Sequence, residues 1–130
     1  MTVSNIKATI QGDLYKVWDV VTDVRGYTWR RDLSKTEILN EKQFVEYTKD
    51  GYATTFTITV FEPYSRWEFD MKNNRMQGHW TGVFKGSGDI TEIDFTEEIK
   101  VKNKLLAPFI KHYLKKQQAQ FIADLQRALQ

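Results

Sequence analysis

Glu97 is the one charge in an otherwise apolar alternation, Ile93, Phe95, Glu97, Ile99, Val101. A carboxylate on such a face must be paired, hydrated or protonated, because a bare buried charge is costly. Burial also raises its pKa. Three fates are open to it. The ordinary one is contact with water at an open sheet end, or with an arginine. The second is to receive the polar head of a ligand. The third is proton transfer, for which Tyr113 is the only plausible partner. Tyr113 and Gln117 lie on the inward stripe of a C-terminal helical pattern. They can hydrogen-bond a ligand or Glu97, or simply satisfy one another. Arg30 and Arg31 follow Trp29 and read as a solvated basic edge near a cavity mouth, with pairing to Glu97 or attraction of an anionic ligand as the alternatives.

Other chemistries lack their residues. There is no Cys, which excludes disulfides, thiol nucleophiles and thiolate metal sites. Of the two histidines, His79 has outward strand parity and His112 lies beside the apolar helical stripe. No inward general base and no metal-spaced cluster result, so neither a metal nor another cofactor is expected. Lys85-Gly86-Ser87-Gly88 reads as a hairpin turn rather than a phosphate loop. Net charge is +2, too even to imply a nucleic-acid partner. Lys100, Lys102, Lys104, Lys111, Lys115 and Lys116 read as a solvated face around the start of the last helix. No apolar run could span a bilayer and no signal peptide is apparent, so a cytoplasmic protein is expected.

The elements that must position these residues follow from periodicity. Residues 1–130 read as one domain, without linker or repeat. Val3 to Ile10 alternates as a strand with Ile6, Ala8 and Ile10 on one face. Asp13 suits an N-cap for a short helix carrying Leu14, Val17, Trp18 and Val21. Arg25 to Asp32 reads as a second short helix or a loop. From Leu33 to Val101 the pattern is nearly all strand, with turn signals at Asn40-Glu41, Asp50-Gly51, Pro63-Tyr64, Asn73-Asn74 and Ser87-Gly88. Two-residue turns at these sites would pair Phe56 with Val45, Val60 with Trp67, Ile58 with Phe69, Trp67 with Trp80, and Trp80 with Phe95. Gly78 would then oppose Glu97. An inward row of Val60, Trp67, Trp80 and Phe95 is expected, with Phe56, Phe69 and Phe84 on the same face. Gly78 and Gly82, on that face, are expected to leave room for another group. Leu106, Ile110, Tyr113, Gln117, Phe121, Leu125 and Ala128 then mark a helix of about 25 residues, about 37 Å long.

Several stretches resemble a known superfamily. Asp13-Leu14-Tyr15-Lys16-Val17-Trp18-Asp19-Val20-Val21-Thr22-Asp23 resembles its first helix. Tyr27, Trp29 and Leu33-Ser34-Lys35 resemble the segment leading to its second strand. Gly78-His79-Trp80-Thr81-Gly82 and Thr96-Glu97-Glu98 resemble the last hairpin of small bacterial members. The superfamily is the helix-grip (SRPBCC) group of START, birch-pollen-allergen-like and polyketide cyclase/dehydrase-like proteins. The resemblance implies an α+β fold, β-α-α-β6-α, with a seven-stranded curved antiparallel sheet ordered 1-7-6-5-4-3-2 around a long C-terminal helix. It also implies a cavity between sheet and helix that holds a lipid, sterol or polyketide.

The function expected is binding of a small hydrophobic molecule. Its wall would comprise Trp29, Phe56, Trp67, Phe69, Trp80, Phe84, Phe95, Glu97, Tyr113 and Gln117. A filled aromatic core is the plainer alternative for the same residues. A cyclase/dehydratase using Glu97 and Tyr113 is the second functional reading, and a regulatory protein-interaction module the third. Nothing apolar on the Thr- and charge-rich outer face favours the last. Ligand identity and oligomeric state are left open.

Overall fold

A computed structural model describes residues 1–130. Strand β1 (Thr2–Gln11) is followed by helix α1 (Leu14–Thr22). The strands β2 (Leu33–Ile38), β3 (Gln43–Thr48), β4 (Ala53–Glu62), β5 (Arg66–Lys72), β6 (Met76–Ser87) and β7 (Ile90–Val101) come next. A 3-10 turn (Lys104–Leu106) leads into α2 (Ala107–Ala128). All seven strands form one antiparallel sheet in the order β1-β7-β6-β5-β4-β3-β2. This is the helix-grip architecture, with one departure. The segment between α1 and β2 forms turns and a loop, not the second helix that the resemblance implied.

Local chemistry sets the helix ends. The Asp13 carboxylate accepts the Lys16 N–H at 3.1 Å and caps α1, whose Val17, Trp18 and Val21 are buried. Pro108 sits in the first turn of α2, where a missing N–H breaks no intrahelical bond. The helix has 22 residues, about 33 Å at ~1.5 Å per residue.

The turns differ from the expected ones in instructive ways. The β5–β6 and β6–β7 loops centre one residue later, on Asn74-Arg75 and Gly88-Asp89. In the first, Asn73 Oδ1 accepts the N–H groups of Arg75 and Met76 at 2.8 and 3.0 Å. In the second, Gly88 supplies a φ of 61° at the first loop position. A turn centre displaced by one slides the register by two, so every side chain keeps its face. Trp80 therefore stands opposite Phe69 and Glu97 rather than Trp67 and Phe95. Gly78 opposes Ile99, and Gly82 lies between Trp67 and Phe95.

Two other differences change faces. The β3–β4 loop is a three-residue Lys49-Asp50-Gly51 connection, with Gly51 at φ 84° and its N–H bonded to Thr48 O. An odd loop shifts the register by one and turns β3 over. Phe44, not Val45, opposes Phe56, and the two rings stack at 4.9 Å and 5°. Glu46 is carried to the inner face with them. In β4 a bulge between Ile58 and Val60 keeps Ile58 opposite Phe69 but sets Val60 opposite Glu68. Val60 thus leaves the inner row, and Phe61 takes the place opposite Trp67, packing edge-on to Trp18 at 5.5 Å.

The core has a dense end. Ile10, Val17, Trp18, Phe84, Ile93 and Leu125 are all buried there. The expectation for the two glycines is corrected. A Cβ on Gly82 would lie 2.4 Å from the Trp80 ring, and one on Gly78 would lie 2.6 Å from Ile99 Cδ1. The Trp80 ring fills the space above Gly82, and the Glu98 backbone carbonyl together with the Ile99 side chain closes that above Gly78.

Candidate functional site

A cavity of about 580 Å³ lies between the concave face of the sheet, the 23–33 segment and the stretch of α2 from Ile110 to Phe121. That is within the ~300–1,000 Å³ range of small-molecule sites. The sheet supplies Phe56, Trp67, Phe69, Trp80 and Phe95; α2 supplies Ile110, Leu114 and Phe121; the loop supplies Trp29. The aromatic wall is continuous: Phe69 and Trp80 stack at 4.9 Å and 6°, and Trp80 meets Phe95 at 4.8 Å. Exposed Asp50, Arg75, Leu106 and Tyr113 mark the mouth.

Nine of the ten residues expected in the wall border this space. Trp29, Phe56, Trp67, Phe69, Trp80, Phe95, Glu97, Tyr113 and Gln117 do so, whereas Phe84 does not. Phe84 is buried behind the cavity, 4.9 Å from Trp18 and 5.4 Å from Phe95. Tyr113 is 59% exposed, so it belongs to the rim rather than the interior. Trp67 is buried and its Nε1 has no hydrogen-bond partner.

Glu97 projects from the rung that links Trp80 on β6 with Ser4 on β1. Ser4 is already engaged, donating from Oγ to Gln118 Oε1 at 2.7 Å. The Glu97 carboxyl has no such partner. The carboxyl borders the cavity. Burial is the main cause that pushes its pKa up to about 7; the nearby Glu46 charge adds to this, and Arg30 opposes it. The Tyr113 hydroxyl is also raised, by burial first and then by the Glu97 charge.

The second polar group was not legible as such. Arg30 is not a solvated edge: its side chain is only 17% exposed and its guanidinium lies 5.2 Å from the Phe121 ring centroid. It donates from Nη1 to Glu46 at 2.9 Å and from Nη2 and Nε to Asp32 at 2.8 and 3.2 Å. Burial raises the Glu46 carboxyl, with Asp32 adding and Arg30 opposing. Arg31 points the other way, to Asp124 on α2. The signal that could have revealed Glu46 is the Lys49-Asp50-Gly51 loop, whose odd length sets which side of β3 faces inward.

The histidines lie away from the cavity. His79 bridges Glu68 and Asp70 on the outer face, each at 2.7 Å. His112 is exposed. No helix is long and apolar enough to cross a membrane.

Comparison with known proteins agrees with this fold. A START superfamily protein from Mycobacterium smegmatis superposes with a TM-score of 0.85 at 14% identity, over 98% of this chain and 96% of that one. A conserved protein from Geobacillus kaustophilus gives 0.85 at 13% identity, over 98% and 95%. The di-domain ARO/CYC BexL of the BE-7585A biosynthetic pathway gives 0.82 at 9% identity, over 98% of this chain but 46% of BexL. Identities this low carry the fold alone. No curated protein matches the sequence. The family described as polyketide cyclase / dehydrase and lipid transport matches over residues 1–130, and the chain belongs to it.

Proposed function

We propose that this protein binds a small hydrophobic molecule, a lipid, polyketide or similar, between its sheet and α2. The observation that carries this reading is the aromatic-walled cavity of about 580 Å³ with few polar groups. Such a space loses dispersion contacts on its lining, and an apolar guest restores them while leaving water. Trp29, Trp67 and Trp80 border the cavity, so their emission reports occupancy. Titration with apolar fluorescent probes and native mass spectrometry of the purified protein test the proposal. Saturable binding with a shift of tryptophan emission is the expected result. Failure to retain any lipid, fatty acid or apolar probe would sink it.

One observation favours a second reading, a cyclase/dehydratase-like enzyme, in keeping with the ARO/CYC designation of BexL. A carboxyl held near pH 7 inside a cavity can both give and take a proton at neutral pH. Glu97 would be the proton-transfer group and Tyr113 a hydrogen-bond donor to a substrate carbonyl. Turnover of a polyketide-like substrate that survives both Glu97→Gln and Tyr113→Phe would eliminate this mechanism.

A further inference from the structure

The cavity wall has the opposite charge balance to the molecule. The protein carries a net charge of +2. Its cavity is lined by five carboxylates and two guanidiniums, with no lysine. The inner guanidinium is not free for a guest. Arg30 is closed on Asp32 and Glu46. Arg75 stands at the mouth, 4.2 Å from the Tyr52 ring centroid. A carboxylate head carried past Arg75 would find no unpaired cation inside and would face Glu46 and Glu97. Charge repulsion is stronger in a water-poor site than in bulk.

A cationic head meets the reverse situation. Glu97 lacks a partner, and the residue paired with it across the β6–β7 ladder is Trp80, whose indole stacks on Phe69. A carboxylate beside aromatic faces suits an ammonium, which gains an ion pair and a cation–π contact together. We propose that the cavity selects apolar molecules bearing a protonated amine, with Glu97 receiving the ammonium and Trp80 flanking it. This rests on the cavity being a ligand site, and adds the chemical class of its guest.

Dodecylamine, dodecanol and dodecanoate share one chain and differ in head charge. Their affinities at pH 8, read from tryptophan emission, are expected to fall in that order, with the amine about tenfold tighter than the alcohol. The basic exterior would attract dodecanoate, so an amine preference cannot arise from surface adsorption. Glu97→Gln is expected to lower amine affinity about tenfold and to narrow the gap between amine and alcohol. Lowering the pH to 5.5 should narrow the same gap: Arg30 and Glu46 are the charged groups that act on Glu97, Tyr113 is the titratable group that feels it, and Glu97 then gains its proton. Dodecanoate binding as tightly as dodecylamine overturns the inference but leaves the ligand site standing. An amine preference that survives Glu97→Gln overturns the role of Glu97. Binding of none of the three overturns the ligand site itself, and the inference with it. The wild-type order alone decides the charge preference should the variant fail to fold.

Discussion

The two halves of α2 do different work, and two covered carboxyls, Asp124 and Glu97, mark the difference. The C-terminal half is fastened. Asp124 is 1% exposed and accepts from the Arg31 N–H, Arg31 Nε and Arg127 at 3.1, 2.7 and 3.1 Å. Leu125 beside it is fully buried. Gln118, near mid-helix, exchanges hydrogen bonds with Ser4, and Gln126 exchanges two with the Gln11 backbone at 2.8 and 3.1 Å. The N-terminal half stands over the cavity, and Leu105, Phe109 and Tyr113 at its start are 82%, 69% and 59% exposed. Burial by itself would raise both carboxyls. At Asp124 the arginine donors more than offset it and hold the pKa below the usual range. At Glu97 the more distant Arg30 charge offsets it only in part. A paired carboxyl fixes the helix, while an unpaired one costs stability.

Truncation at the fastened end should have the largest effect. Leu125→Ala is expected to cost about 3–5 kcal/mol in urea denaturation. Ile110→Ala, over the cavity, should cost much less, because its side chain is only partly buried. Equal losses at the two sites would erase the distinction between the halves.

Glu97→Gln comes next and has the opposite sign. The folded-state pKa is raised from 4.5 to about 7, so the folded protein loses stability as pH rises through that interval. At pH 8 the substitution should stabilise by up to about 3 kcal/mol, and at pH 4 by almost nothing. Melting curves of both proteins across this range would test it; a variant no more stable at pH 8 than wild type would mean that Glu97 has a partner. A stabilising change that also weakens binding is the signature expected of a functional group.

Asp124→Asn should be milder. The two arginines that cover the carboxylate are 58% and 49% exposed, so it lies just below the surface and part of the pairing is screened by solvent. A loss of about 1–3 kcal/mol at pH 7 is expected. Because the folded pKa is depressed, wild type should lose this contribution as pH falls below the usual carboxylate range, and the two proteins should converge in acid. A constant gap down to pH 2 would locate the effect in packing instead. Smallest of all, Tyr113→Phe should change stability by less than about 0.5 kcal/mol, because the side chain is exposed.

Much of this arrangement was legible in the chain. Strict alternation in β5, β6 and β7 assigned Trp67, Phe69, Trp80, Phe95 and Glu97 to one face, and the assignment survived a two-residue slide because faces repeat every second residue. The Asp13 cap and the spacing of Leu14, Val17, Trp18 and Val21 marked α1. In β3 the pattern was ambiguous: Gln43–Thr48 offers Val45 and Tyr47 on one side and Phe44 and Glu46 on the other. Local hydrophobicity favoured the first pair, and loop length enforced the second. Arg30 looked solvent-facing because its partners are Asp32, two residues away, and Glu46, which the register alone brings near.

The sequence by itself determined the elements, their order and the inward charge at Glu97, since periodicity and turn residues are local properties of the chain. Tertiary structure decided which rung Glu97 occupies, that Glu46 and Arg30 join the cavity, and that Trp80 fills the space above Gly82. It also decided that a space remains at all. A cavity is the volume left when side chains from a long helix and seven strands distant in sequence fail to meet, and no local pattern records that sum.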